Sequence, residues 1–100
     1  MNNKKSLLSG IGNQKETRLY YDDWAYNYEQ TLKKWDYKTP RKSLKIIKKY
    51  TDVKPKFILD LACGTGLFGQ EIKKHFYTSI IDGSDISSIS LKIAHEKKIY

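Results

Sequence analysis

The sequence predicts an α/β fold in which two helices precede a single βαβ unit and a last helix follows it. Residues 57–62 form a short apolar run that suits a buried strand, and a glycine-rich turn at residues 64–66 follows directly. A helical pattern and a second short strand at residues 78–81 are expected next. At 100 residues, the chain has the size of one small domain.

Two amphipathic helices are expected before the first strand. Apolar residues between Glu16 and Trp35 recur at spacings of mostly four, which places them on one helical stripe. They are Leu19, Tyr20, Trp24, Tyr28 and Leu32. In the next helix, Thr39 is the expected N-cap and Pro40 suits the first turn, and the helix is expected to end near Tyr50.

Two further helices are expected, one on each side of the second strand in the chain. The apolar face of the first comprises Leu67, Phe68, Ile72 and Phe76. Ser87 is the expected N-cap of the other. Its apolar face comprises Ile89, Leu91, Ile93 and Ala94.

The composition indicates a folded protein with a basic surface. Apolar residues make up 39% of the chain and aromatic residues 13%, which is too much for a wholly disordered chain. The net charge is +8, which could attract nucleic acid or other acidic partners. Lysine pairs are spread over every segment, however, so we interpret them as solvated surface and do not favour nucleic acid as a partner.

Cysteine and histidine usage predicts a protein without a metal. A single cysteine, Cys63, excludes an internal disulfide, and no Cys or His stands at a metal-ligand spacing from it. Cys63 is expected to be a small buried filler, and His75 and His95 are expected to face solvent. No signal-peptide core and no apolar run near the ~20 residues of a membrane span occurs, so a cytoplasmic location without membrane contact is expected.

Three glycines after the first strand match the pattern G-x-G-x-x-G: Gly64, Gly66 and Gly69. Dinucleotide sites carry this pattern, and Asp85 lies about 20 residues beyond its first glycines, as such sites require. Asp60 argues against a dinucleotide. A carboxylate inside the strand suits a ligand with a cationic amino acid end better than an anionic pyrophosphate.

The segment ILDLACGTG at residues 58–66 resembles the first motif of class I S-adenosylmethionine (SAM) dependent methyltransferases. The resemblance implies a Rossmann-like fold with SAM as its cofactor. It also implies which residues hold the methionine end of SAM, namely Asp60, Ala62, Gly64 and Gly66.

Residues 83–87 resemble the motif that follows the second strand in this family, which implies that Asp85 binds the ribose hydroxyls of SAM. A carboxylate suits two neighbouring hydroxyls because it accepts from both. Asp82 is the alternative if the register differs. The family sheet has seven strands and two are represented here, so we expect a truncated fold of N-terminal helices, one βαβ unit and a following helix.

Residues 21–29 and 37–41 are similar to the N-terminal helices of the methyltransferase-like group named after the Williams-Beuren region. In that resemblance the helices lie over the cofactor, and Tyr21, Trp24 and Tyr28 help to form a lid. The alternative is that these aromatic residues are ordinary core packing on one helix face.

This interpretation divides the chain into three parts. A flexible N-terminal tail is expected at residues 1–15, a helical lid region at residues 16–52, and a partial SAM-binding βαβα unit at residues 53–100.

The sequence therefore predicts the cofactor-binding N-terminal half of a SAM-dependent methyltransferase that acts on an unknown acceptor. No catalytic residue can be named, because the acceptor side of this fold comes mainly from later strands. One alternative is a non-catalytic fragment that docks on a protein partner, or on another copy, through the open edge of the first strand. Another is a nicotinamide-dependent oxidoreductase fragment, which only the glycine pattern favours.

Overall fold

The computed structural model describes residues 5–7 and 12–100. It contains four helices and two strands within these residues: α1 (Gln14–Lys34), α2 (Thr39–Tyr50), β1 (Phe57–Leu61), α3 (Leu67–His75), β2 (Ile80–Ser84) and α4 (Ser88–Glu96). The strands pair in parallel, from Phe57 opposite Ile80 to Leu61 opposite Ser84. The predicted α/β class and the order of its elements are therefore confirmed for this part of the chain.

The second strand lies further along the chain than expected. Residues 78–81 were predicted, whereas β2 spans Ile80–Ser84. Pairing decides this, because the Ile80 N–H donates to the Lys56 carbonyl at 2.9 Å and all five residues of β2 face residues of β1. The turn-like composition of residues 82–84 suggested a loop, and tertiary pairing overrides that local preference.

Side chains cap two of the helices. Asn13 caps α1 by accepting a hydrogen bond from the Glu16 N–H at 2.8 Å. Ser87 accepts from the Ser90 N–H at 3.1 Å, which confirms it as the N-cap of α4. The prediction for α2 was wrong by one residue, since Lys38 occupies the N-cap position and makes no side-chain cap.

Part of the expected flexible tail, residues 1–4 and 8–11, lies outside the described residues. Where the structure describes the rest of that segment, α1 begins at Gln14 and Ser6 contacts the helix. The Ser6 N–H donates to the Tyr20 hydroxyl at 2.8 Å, and that hydroxyl donates to the Ser6 carbonyl at 2.7 Å. Flexibility of the tail stays a prediction.

The core lies on one face of the two-stranded sheet. Ile72 of α3 and Phe76 directly after it pack against Ile81 of β2, and α2 adds Leu44 and Ile47 to this cluster. The opposite face is open, which the apolar run at residues 57–62 did not indicate. Three large side chains on it are mostly exposed: Phe57 at 66%, Leu59 at 61% and Ile80 at 53%. The expectation of a buried strand is therefore wrong for this face of β1 in the described part of the chain.

Helix α1 lies along α4, and residues that flank both ends of α4 hold it. The Ser87 hydroxyl donates to Asp22, and Lys97 forms an ion pair with Glu29 at 2.5 Å. Between these contacts α1 buries Trp24 and Ala25, whereas Leu19 on the predicted stripe is 51% exposed. The helix that was expected to cover a cofactor is thus attached to the βαβα unit through its middle, from Asp22 to Glu29.

Candidate cofactor site

The turn between β1 and α3 has an unusual backbone. Ala62, Gly64 and Gly66 have φ angles of +55°, +57° and +96°, all in the left-handed region. The Cys63 N–H donates to the Ser84 carbonyl at 2.9 Å, which ties the turn to the end of β2. Glycine adopts this region without cost, whereas an alanine there carries steric strain.

The glycines of the turn are needed for different reasons. A Cβ on Gly64 would meet nothing within 4 Å, so the space beside this residue is open. Glycine is favoured there by the left-handed backbone conformation alone. A Cβ on Gly66 would lie 3.1 Å from the Tyr100 ring, and one on Gly69 would lie 2.1 Å from the Tyr100 hydroxyl. The third glycine of the pattern therefore makes room for an aromatic side chain of this chain.

Asp85 joins the ends of the two strands. One carboxylate oxygen accepts from the Gly64 N–H at 2.9 Å and the other from the Ser87 N–H at 2.9 Å. Each oxygen keeps a free lone pair for a further donor. Asp82, the alternative ribose ligand, lies within β2 opposite Leu59 and is exposed, so Asp85 is the acid at the carboxyl end of the strand.

Asp60 is a half-buried carboxyl at the end of β1. Burial raises its pKa, the hydrogen bond from Tyr100 lowers it, and the nearby charge of Asp85 raises it. The Tyr100 hydroxyl donates to Asp60 at 2.7 Å. Burial, with the Asp60 hydrogen bond next, raises the pKa of Tyr100 above its usual range. This contact spans 40 residues of sequence, and no local pattern could have indicated it.

Two adjoining pockets open at this end of the sheet. The first, about 270 Å³, is lined by Asp60, and the second, about 240 Å³, by Asp85 and Tyr21. Three residues line both pockets: Tyr28, Ala62 and Gly64. The structure thus brings the predicted acids to two pockets with a common wall.

The two lid tyrosines line the second pocket, and Trp24 does not line either one. Trp24 is 2% exposed, and its indole N–H donates to the Thr31 hydroxyl at 3.2 Å. Its ring lies 4.7 Å edge-on from Tyr28 and 6.0 Å from the stacked ring of Tyr21. The indole of Trp24 therefore packs behind these tyrosines, which favours the alternative of core packing for this residue, and its contact with a cofactor stays a prediction. Burial raises the pKa of Tyr28 to about 12.

Several pocket residues were not assigned from the sequence. The segment around the start of α2 contributes Tyr37, Thr39, Pro40 and Ser43 to the first pocket. Thr65 also lines it, and its hydroxyl is buried without a hydrogen-bond partner among the described residues. Buried hydroxyls are nearly always paired, so Thr65 offers a position for a polar ligand atom. Its place inside the glycine motif was the only sequence signal.

Cys63 is buried as predicted, and burial raises the pKa of its thiol to about 11. His95 is exposed as expected, whereas His75 is only partly exposed and lies edge-on to Phe76 at 4.5 Å.

Among residues 5–7 and 12–100, no three His, Cys, Asp or Glu side chains cluster as metal ligands would. No helix in these residues has the length and apolar character to cross a membrane.

Comparisons with known proteins give two curated relatives, and both carry methyltransferase names. An alignment of 79 residues covers 75% of this chain and shows 32% identity to the human methyltransferase-like protein 27. A second alignment of 102 residues covers 99% of this chain and shows 28% identity to the Arabidopsis thaliana 18S rRNA (guanine-N(7))-methyltransferase RID2. In both cases the chain spans 32% of the relative's length.

No protein-family model matches the chain, and no solved structure matches it significantly. The two relatives support the broader prediction of a methyltransferase family. The assignment to the group named after the Williams-Beuren region stays a prediction.

We expect Ala62→Gly to raise the free energy of unfolding by about 0.5–1 kcal/mol, because relief of the left-handed strain outweighs the larger chain entropy that glycine loses on folding. Ala62→Val should lower it, since a β-branched side chain tolerates this φ least. Urea denaturation followed by circular dichroism measures both. The control is Ala25→Gly in α1, which should be destabilising by about 1 kcal/mol or more. A loss at Ala62→Gly like that of the control would contradict this reading of the turn.

We expect Asp60→Asn to gain stability relative to wild type as the pH rises. The folded-state pKa of Asp60 is raised above 3.8, so the stability contributed by the protonated carboxyl is present below that pH and is lost as the pH rises through the raised pKa. Urea denaturation from about pH 4 to about pH 7 measures the difference. Asp82→Asn, an exposed site with the same charge change, is the control. A stability difference that is independent of pH would show that burial does not raise the pKa of Asp60.

Proposed function

We propose that the chain is the cofactor-binding part of a class I SAM-dependent methyltransferase with a Rossmann-like fold, of the group named after the Williams-Beuren region. The observation that carries the proposal is the position of Asp60 and Asp85, each lining one of two pockets that share the wall formed by Ala62 and Gly64. Ligands of open parallel sheets bind at this end of the strands. The two methyltransferase-named relatives support the same class.

The residues at the site fit the chemical groups of SAM. Asp60 would pair with the ammonium of the methionine end, since a half-buried carboxylate is stabilised by a cation. Asp85 would accept from the ribose hydroxyls with the lone pairs that its backbone contacts leave free. The pockets together fall in the range of about 300–1,000 Å³ that is usual for small ligands.

The turn and the lid would serve to position the cofactor. Gly64 leaves open space on its ligand side, so the backbone can be approached closely. Gly66 would support the same turn at the start of α3, and Thr65 would donate to or accept from a polar ligand atom. Tyr21 and Tyr28 would exclude water from one side, with Trp24 packed behind them.

When bound, SAM supplies a methyl group on a sulfonium centre that is open to in-line attack by a nucleophile. The described residues would contribute by orientation, which can account for a large part of the barrier in two-reactant chemistry. Neither a catalytic base nor a methyl acceptor is assigned to this part of the protein. A cytoplasmic location is part of the same proposal.

We expect calorimetric titration of the chain with SAM to give binding that Asp85→Asn weakens roughly tenfold to a hundredfold, as loss of a charged hydrogen-bond acceptor does. The control is Asp82→Asn, which removes the same charge from the exposed face of β2 and should bind like wild type. A folded chain that does not bind SAM would contradict the proposal. Binding of NADH that SAM cannot displace would favour the oxidoreductase alternative.

A second candidate function is a non-catalytic segment that docks on a protein partner or a second copy through the open edge of β1. The sheet within residues 5–7 and 12–100 has two strands, so the outer edge of β1 is unpaired there. Leu59 and Leu61 beside it are 61% and 70% exposed. Apolar unpaired edges are liable to pair with other chains.

If β1 pairs with a second copy, the thermal unfolding midpoint should rise with protein concentration, because association stabilises the folded state. Leu59→Lys should remove that dependence, since an inserted charge blocks edge pairing. Val53→Lys, at a site that is 74% exposed in the loop before β1, is the matched control. A midpoint that does not depend on concentration would argue against self-association.

A further inference from the structure

Helix α2 presents a basic side to solvent. Six of the residues from 38 to 49 are Lys or Arg, and no acid occurs from 37 to 51. They are Lys38, Arg41, Lys42, Lys45, Lys48 and Lys49, and all six are exposed. Their spacing places them on one side of the helix, whereas Leu44 and Ile47 on the other side pack against the core. The fold thus gathers cations that looked evenly distributed in the sequence.

Most of these cations have no counter-charge. Lys38 pairs with Asp36 at 3.3 Å, and Lys49 lies over the Tyr50 ring. The other four, Arg41, Lys42, Lys45 and Lys48, form no ion pair with any residue in the described part of the chain. Like charges on neighbouring turns of a helix repel one another, and a polyanion would remove that repulsion.

Three exposed aromatic rings lie at the end of α2 or after it in the chain, and each has a lysine above it. Tyr50 is 76% exposed, and Phe57 and Tyr77 are each 66% exposed. The lysine nitrogens lie 5.4–5.6 Å from the ring centroids, in the pairs Lys49–Tyr50, Lys56–Phe57 and Lys54–Tyr77. Phe57 projects from the open face of the sheet, whereas Tyr50 ends α2 and Tyr77 lies between α3 and β2.

We propose that the basic side of α2, together with Tyr50 and Tyr77, forms a binding surface for single-stranded nucleic acid. Lys and Arg side chains would neutralise phosphates and release counterions, and unstacked bases would lie on the exposed rings. A membrane fits the same surface less well. Amphipathic helices bind lipid through a free apolar face, and Leu44 and Ile47 of α2 are already packed in the core.

The surface begins beside the proposed cofactor site. Thr39 and Pro40 in the first turn of α2 line the first pocket, and the 12 residues of the helix extend from there by about 18 Å. A strand bound along α2 would therefore have one end near that pocket. Nucleic-acid binding is measurable without SAM, so its outcome is separate from the test of cofactor binding.

The test is fluorescence anisotropy of a labelled single-stranded RNA with the full chain, over a range of salt concentrations. We expect the combined variant Arg41→Gln, Lys42→Gln, Lys45→Gln and Lys48→Gln to weaken binding at least about tenfold and to reduce the salt slope by about 0.7 for each lost phosphate contact. Circular dichroism would verify that the variant folds, which is expected because all four side chains are exposed.

The matched control replaces one arginine and three lysines that are equally exposed on α1 and α4: Lys15→Gln, Arg18→Gln, Lys34→Gln and Lys92→Gln. Both combined variants remove four positive charges from a net charge of +8. The control should bind RNA like wild type. Equal losses in the two variants would show that net charge alone attracts RNA, and would overturn the proposal.

A second pair of measurements tests the kind of partner. Tyr50→Leu with Tyr77→Leu keeps every charge and should still weaken RNA binding about tenfold, because two stacking platforms are lost. Unchanged binding would overturn the assignment to single strands. The proposal would be overturned in favour of a membrane surface if the wild-type chain did not bind RNA but bound phosphatidylserine-containing vesicles through the same four basic side chains.

Discussion

The carboxylate of Asp85 holds together the pieces of backbone on which the rest of the site depends. One of its oxygens accepts from the Gly64 N–H after β1, and the other accepts from the Ser87 N–H before α4. Ser87 in turn donates to Asp22 of α1, which is 65 residues away in the sequence. Because these contacts share one carboxylate and one hydroxyl, the glycine turn, the start of α4 and the helix over the pockets take their positions together.

Several features of the site cost stability. Ala62 has a left-handed φ, Asp60 is half-buried as a carboxyl, and the Thr65 hydroxyl has no partner among the described residues. Each feature also prepares the pocket for a ligand, as strain and unpaired polar groups at binding sites often do. The ion pair of Lys97 with Glu29, neither of which lines these two pockets, holds α1 in place and helps to offset this cost.

The features that the sequence predicted correctly depend on neighbouring residues, and those it missed depend on distant ones. The apolar run of β1, the glycine turn after it and the Ser87 cap are local patterns. The end of β2 depends on pairing with β1, and the position of Tyr100 depends on the space left by glycines of α3 and β2. The apolar stripe between Glu16 and Trp35 correctly predicted a helix. Periodicity cannot show, however, whether a buried ring such as that of Trp24 faces a pocket or the core.

In helix α2, packing against the core determines the direction in which the basic side chains point. Leu44 and Ile47 set the rotation of the helix because they pack against Ile72 and Phe76, so the direction of its basic side is decided by burial and not by the charges themselves. The cations are consequently held together on a rigid element before any partner arrives. A partner that binds there does not have to order the helix, and the cost of association is lower by that amount. The same rotation directs Thr39 and Pro40 to the first pocket, so one packing contact orients both surfaces of the helix.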